Sequence, residues 1–172
     1  HSVILALTSK EFNPQACAGH SLGEFSALVS SKSISFEDGI KLVSIRANAM
    51  QEACQETNGA MAAILGLENK IVEDVCSEID DIVTPANYNC PGQLVISGEY
   101  NAVEKACVIL KEKGAKRAII LPVSGAFHSN LMEPAMKELQ KGIDQTEFRE
   151  PICNIYQNFT AKPIRDSEII KM

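Results

Sequence analysis

The stretch CAGHSLGEFSAL, Cys17 to Leu28, decides how the rest of the chain is read. Within it, Gly19-His20-Ser21-Leu22-Gly23 is a glycine-x-serine-x-glycine pattern that leaves a short apolar segment and enters a helix-compatible one. That is the layout of a nucleophile elbow, a turn too sharp for side chains on either side of an exposed serine. A helix starting there sets the Ser21 hydroxyl near its positive end, and the Leu22 N–H can donate to an oxyanion formed beside it. The pattern alone arises by chance in about one chain in twenty of this length, at ~7% usage of each residue. Its plain alternative is a glycine-rich turn with a serine N-cap.

A serine becomes nucleophilic at neutral pH with a base, usually histidine. The chain has three histidines. His1 is terminal, and His20 directly precedes Ser21, so in a sharp turn its side chain diverges from the hydroxyl. His128, in a glycine-containing loop far downstream, is the remaining candidate. Arg46 lies on a long helix beside the apolar stripe, where it either reaches into a cleft to bind a carboxylate bidentately or snorkels at the surface. Lys111, Lys113, Lys116 and Arg117 form the densest positive run, usually just a solvated helix end.

The bulk numbers narrow the classes. A chain of 172 residues, 45% hydrophobic and 22% charged, can bury a real core and fits one domain or slightly more. No apolar run approaches the roughly 20 residues needed to cross a bilayer, and the start does not resemble a secretory signal. The expectation is a soluble, cytoplasmic monomer without a membrane partner. A net charge of −6 argues against nucleic acid. The six cysteines (17, 54, 76, 90, 107 and 153) include no C-x-x-C pair and no nearby histidine cluster, and read as reduced thiols without metal.

Along the chain, Val3–Leu7 reads as the end of a helix, Gln15–Ala18 as a strand and Leu22–Val29 as a helix. Ser35-x-x-Asp38 has the form of a capping box, with Asp where Glu or Gln is usual. It opens an amphipathic helix of about five turns, with Phe36, Ile40, Val43, Ala47, Met50 and Cys54 as the expected buried stripe. Next come a strand (Met61–Leu67), a helix (Glu68–Ile79), two strands (Ile82–Asn87 and Gln93–Ser97) around the turn Asn89–Gly92, a helix (Tyr100–Lys113) and a strand (Arg117–Val123). Strand, helix, strand, strand, helix, strand is the ferredoxin-like order, so residues 58–122 read as an inserted subdomain. Residues 1–57 and 123–172 flank it. After His128, Leu131, Ala135 and Leu139 share a helix face with Pro134 in its first turn. Ile152–Phe159 reads as a strand of the main sheet.

Six segments together go further than the elbow: GHSLGE (19–24), IRANAMQEA (45–53), GAMAAILGL (59–67), ANYNCPGQLVISG (86–98), GAKRAIILPVSGAFHSNLMEPA (114–135) and IYQNFTAKPI (155–164). In order and spacing they resemble the malonyl-CoA:acyl carrier protein transacylases of fatty acid synthesis and the related acyltransferase domains of polyketide synthases. The resemblance covers nearly the whole chain. It implies an α/β-hydrolase-like core with a ferredoxin-like insert.

The resemblance also implies roles by position. Ser21 matches the acylated nucleophile, His128 its base, Leu22 one backbone oxyanion donor, and Arg46 the arginine that pairs with the malonyl carboxylate. His20, Asn87, Asn89, Gly92 and Gln93 match active-site loop positions. Phe127 matches a residue associated with preference for malonyl over methylmalonyl units, and Lys116 and Arg117 match a basic surface that meets the carrier protein. The substrates implied are malonyl-CoA and acyl carrier protein, with no cofactor, since CoA thioester and phosphopantetheine are themselves substrates.

Two family elements are expected outside the chain, which then reads as an internal fragment: a Gly-Gln-Gly-x-Gln segment before residue 1, supplying the second oxyanion donor, and a glutamine segment after Met172 that orients the histidine. The latter accounts for the lack of an acidic third triad member. Competing readings are a malonyl-loading polyketide synthase domain, a serine hydrolase or thioesterase using the same Ser21 and His128, and a carrier-binding module without activity.

Overall fold

The structure is a computed structural model that describes residues 13–123 and 125–171. The helix end expected at Val3–Leu7 lies outside the described residues. Contacts divide the chain into two compact units, one of residues 1–47 and 138–172, the other of residues 48–137.

In the first unit, strand β1 (Ala16–Ala18) leads through the elbow into helix α1 (Gly23–Ser30). Helix α2 (Phe36–Glu56) follows. Its cap forms as the sequence suggests, with a twist in the side-chain bond. The Asp38 N–H donates to Ser35 Oγ at 3.0 Å, and Ser35 Oγ in turn donates to Asp38 Oδ2 at 2.7 Å. The short side chain of Asp38 thus meets the cap hydroxyl, the partner the structure gives it here.

The expected stripe on α2 is corrected in part: Val43, Met50 and Cys54 are half-buried, Met50 and Cys54 against the cluster of Ala49 and Ala53. Phe36 and Ile40 are exposed, as is Ala47, whereas Gly39, Leu42, Ala49 and Ala53 are buried. The buried face is built largely of small residues, which carry little weight in a pattern scored on large apolar side chains. Leu42 joins Leu28, Ile34, Ile155 and Ile170 in the core of this unit, with Phe25, Leu139 and Phe148 packed against it.

Strand β6 (Asn154–Tyr156) runs parallel to β1, pairing Ala16 with Asn154 and Ala18 with Tyr156. It is shorter than the expected Ile152–Phe159. A two-residue strand (Pro163–Ile164), β7 below, pairs antiparallel with it, and a short helix (Ser167–Lys171), α6 below, follows; neither was anticipated. Cys17 and Cys153 bring their sulfurs to 3.6 Å in this small core beside Ala27, as thiols.

In the second unit, β2 (Gly59–Leu65), α3 (Asn69–Ser77), β3 (Val83–Cys90), β4 (Gln93–Glu99), α4 (Tyr100–Glu112) and β5 (Arg117–Ile120) follow in the expected sequence. The strands form one antiparallel sheet in the order β3-β4-β2-β5. Fully buried Ile64, Leu94 and Ile96 of the sheet pack with Val72 and Val75 of α3 and Val103 and Leu110 of α4. Both helices therefore cover one face of the sheet. A separate cluster joins Ala49 and Ala53 of α2 to Met132 and Ala135 at the start of helix α5 (Glu133–Asp144), with Phe127 against it. Pro134 sits in the first turn of α5 as expected.

Candidate active site

The elbow is held by geometry that the sequence pattern only hints at. Ser21 has φ 52°, a left-handed backbone that residues with a Cβ rarely adopt. Tight i→i+3 bonds follow it: Gly23 N–H to the His20 carbonyl at 2.9 Å, and Glu24 N–H to the Ser21 carbonyl at 3.1 Å. A Cβ at Gly19 would lie 1.9 Å from the Gly23 oxygen, so the first glycine of the pattern is sterically required. A Cβ at Gly23 would meet nothing within 4 Å. The plain alternative, a serine N-cap, does not describe the turn. Leu22 is the cap residue of α1, with no side-chain cap bond.

The Ser21 hydroxyl instead accepts a hydrogen bond from Arg46 Nη2 at 2.9 Å. Arg46 projects from α2 and is half-buried, and desolvation pulls its pKa below the ordinary arginine value. Among the described residues no carboxylate forms an ion pair with it. A guanidinium removed from water without a carboxylate is a ready anion site.

Asn158, which sequence reasoning quoted in a motif but gave no role, grips the same turn. Its Oδ1 accepts from the Ser21 N–H at 3.1 Å, its Nδ2 donates to the Gly19 carbonyl at 2.8 Å and to the Glu24 carboxylate, and its backbone N–H donates to Glu24 Oε2 at 3.0 Å. No local signal could have revealed this, because the partners are brought together by the parallel pairing of β1 and β6. Beside the turn, Ala18, Gly19, His20, Tyr156, Gln157, Asn158 and Ala161 line a cavity of about 380 Å³. It opens at the C-terminal ends of two parallel strands, where open α/β sheets hold their ligands. Leu22 and His20 are exposed here.

His128 lies in the second unit, also with a left-handed backbone (φ 63°), and is exposed. It directly precedes a one-turn 3₁₀ helix (Asn130–Met132) whose cap is Ser129, accepting from the Leu131 N–H at 3.3 Å and donating to the Ala126 carbonyl at 2.6 Å. Those two hydrogen bonds brace the loop carrying His128. Its neighbour Phe127 is half-buried against Ala49, Ala53 and Met132.

The loop residues gather at the β3–β4 hairpin. Asn87 and Asn89 lie on β3, where the pairing with β4 slips between Pro85 and Asn87 and again between Tyr88 and Cys90. Such bulges re-aim side chains. Gly92 (φ 77°) follows Pro91, the residue pair a type II turn favours. Gly92, Gln93 and Lys116 line one open groove of about 1060 Å³ together with Lys70 and Tyr88. Lys116 and Arg117 are exposed.

A left-handed serine at a strand-to-helix turn is the layout of a nucleophile elbow, here with a guanidinium on the serine hydroxyl. Residues 2–170 match the acyl transferase domain family, and the chain belongs to it. Within that family it is similar to the malonyl CoA-acyl carrier protein transacylase of Staphylococcus aureus strain MSSA476, with 41% identity over 99% of this chain and 56% of the relative. Among solved structures, an acyl carrier protein S-malonyltransferase from Vibrio cholerae superposes with a TM-score of 0.90 at 42% identity, over 99% of this chain and 56% of that one. A malonyl-transacylase in complex with its type II PKS acyl-carrier protein gives 0.90 at 41% identity, over 99% and 55%. The mixed α/β fold is shared with these structures. The chain spans about half the length of the relatives it matches.

Proposed function

We propose that the protein transfers a malonyl group from malonyl-CoA to the phosphopantetheine thiol of acyl carrier protein through a malonyl-Ser21 intermediate, in fatty acid biosynthesis. The observation that carries this reading is the Arg46 Nη2 to Ser21 Oγ contact of 2.9 Å. In a malonyl thioester the carboxylate carbon lies only two C–C bonds, about 1.5 Å each, from the reacting carbonyl carbon. A guanidinium that touches the nucleophile can therefore hold the carboxylate of the group being attacked. A simple acyl chain leaves it unpaired in a half-buried site, at a cost of order 1 to 3 kcal/mol or more.

In the first step His128 takes the Ser21 proton, and Oγ bonds to the thioester carbonyl carbon. The Leu22 N–H donates to the resulting oxyanion. The C–S bond then breaks, and the CoA sulfur leaves as a thiol with the proton from His128. In the second step the phosphopantetheine thiol gives its proton to His128 and attacks the ester carbonyl. The C–O bond breaks and Ser21 recovers the proton. Arg46 holds the carboxylate through both steps.

The fold reading that accompanies this is an α/β-hydrolase-like core in residues 1–57 and 123–172 with a ferredoxin-like insert at 58–122. The parallel β1–β6 pair at the elbow and the four-stranded antiparallel sheet support it. The active-site loop then comprises His20, Asn87, Asn89, Gly92 and Gln93, with Phe127 limiting the size of the malonyl substituent. Lys116 and Arg117, exposed on an otherwise acidic chain, suit an acidic carrier protein. No described helix is long and apolar enough to cross a membrane. The likeness to a malonyl-transacylase that works with a type II PKS carrier favours a second reading with the same chemistry, malonyl loading for polyketide synthesis.

The test is to incubate the full-length protein with radiolabelled malonyl-CoA and then with acyl carrier protein. Label should become covalently attached to the protein and then move to the carrier. Label that never attaches contradicts the transfer mechanism, and label released to water rather than to carrier makes the protein a hydrolase.

A further inference from the structure

We infer that Asn158, itself held by Glu24, is a positioning residue that sets the geometry of the Ser21 nucleophile. The inference rests on the reading of Ser21 given above. Three features carry it. The parallel register of Ala18 with Tyr156 delivers the two chain segments to the same end of the sheet, so that a side chain just past β6 can reach the turn just past β1. The Asn158 amide then straddles the elbow, accepting from the Ser21 N–H at 3.1 Å and donating to the Gly19 carbonyl at 2.8 Å. Both groups lie on the chain leading into the Cα of the residue that is bent to φ 52°, a conformation that surrounding structure must enforce.

Glu24 completes the arrangement from the first turn of α1. Its carboxylate accepts from both the Asn158 backbone N–H and the Asn158 side-chain amide, which fixes which end of the amide faces Ser21. The arrangement leaves the Ser21 Cα–Cβ bond aimed so that the hydroxyl meets Arg46 at 2.9 Å. Water could replace each of these exposed bonds one at a time, so a role limited to satisfying the backbone would leave the reaction rate unchanged. A role in aiming the hydroxyl would not, since small misplacements of a reacting atom slow a reaction on the order of 100-fold.

The experiment uses the full-length protein and follows the pre-steady-state formation of malonyl-enzyme across a range of malonyl-CoA concentrations, with thermal melting in parallel. Asn158→Ala should slow acylation at saturating substrate on the order of 10- to 100-fold with the half-saturating concentration little changed. Asn158→Asp keeps an acceptor for the Ser21 N–H but loses the amide donor and faces the Glu24 carboxylate, so it should be comparably slow at neutral pH. Adding Glu24→Gln supplies the missing donor from the other side and should restore the Asn158→Asp rate several-fold. Near-wild-type rates in both Asn158 variants, or losses that track the loss of folded protein with no rescue by Glu24→Gln, overturn the positioning role. Label still attached to Ser21→Ala overturns the nucleophile reading and the proposal with it. An unlabelled Ser21→Ala beside an unaffected Asn158→Ala overturns the positioning role alone.

Discussion

Arg46 donates from Nη2 to the hydroxyl of Ser21 at 2.9 Å, and the two residues are brought together from a helix and a turn that are separate in sequence. On the proposed function, the contact joins the nucleophile and the group that reads the substrate's charge. Selectivity follows from it directly. Arg46→Ala should reduce malonyl transfer by roughly 10²- to 10³-fold, the effect of removing a charge-assisted contact of about 3 to 4 kcal/mol. Acetyl transfer should fall far less or rise. Parallel kcat/KM measurements with malonyl-CoA and acetyl-CoA check this, and equal losses would refute the assigned role.

The two glycines of the elbow should behave differently. Gly19→Ala places a methyl group 1.9 Å from the Gly23 carbonyl oxygen and should destabilise the turn enough to abolish acylation. Gly23→Ala meets open space and should leave the fold intact, with a small gain in helix propensity of under about 1 kcal/mol. Thermal melting of both variants distinguishes them; equal destabilisation would contradict the packing of the turn.

On α2 the buried face can be tested by truncation. Leu42, fully buried, should cost about 2 to 5 kcal/mol on substitution by Ala. Ile40, 54% exposed, should cost within about 0.5 kcal/mol apart from its small propensity change. Denaturant unfolding gives both values. A larger loss at Ile40 would restore the stripe expected from sequence.

The α2 case shows why part of the fold was legible and part was not. Ser35 and Asp38 announced the helix start because capping is a local event, and the β-α-β-β-α-β order could be followed through Gly59 to Ile120 because each element carries its own period. The face of α2 was read only in part, at Val43, Met50 and Cys54, because the rest of its burial depends on Gly39, Ala49 and Ala53, whose small side chains allow close approach but score weakly. Strand β7 and helix α6 were missed because two and five residues hold too little periodicity to read. At the site, the sharp turn at Ser21 was legible from the pattern that Gly19 opens. Asn158 was not, because its bonds to Gly19, Ser21 and Glu24 exist only once β1 and β6 pair.

Buried thiols predict how stability responds to alkali. Burial, reinforced by Cys153, pushes the Cys17 thiol up to about 12, and burial pushes Cys76 up to about 11. A thiol whose folded pKa is raised holds its proton more tightly in the native state than in the unfolded one. The stabilisation is therefore fully present below the unfolded thiol value near 8.5, and it is lost as pH rises from there towards 11 to 12. The unfolding midpoint in denaturant should fall steadily above about pH 9, and Cys17→Ala with Cys76→Ala should flatten that fall. An unchanged slope in the double variant would show that other groups control alkaline stability.

The central claim is that Ser21 carries the malonyl group between two thiols. The most direct measurement is mass spectrometry of the full-length protein quenched in acid after brief exposure to malonyl-CoA without carrier protein, followed by peptide mapping. The account predicts one malonyl group on the peptide containing Ser21, removed on adding acyl carrier protein and never formed in Ser21→Ala. An unmodified Ser21 peptide while malonyl transfer proceeds, or a malonyl group on any other residue, would contradict it.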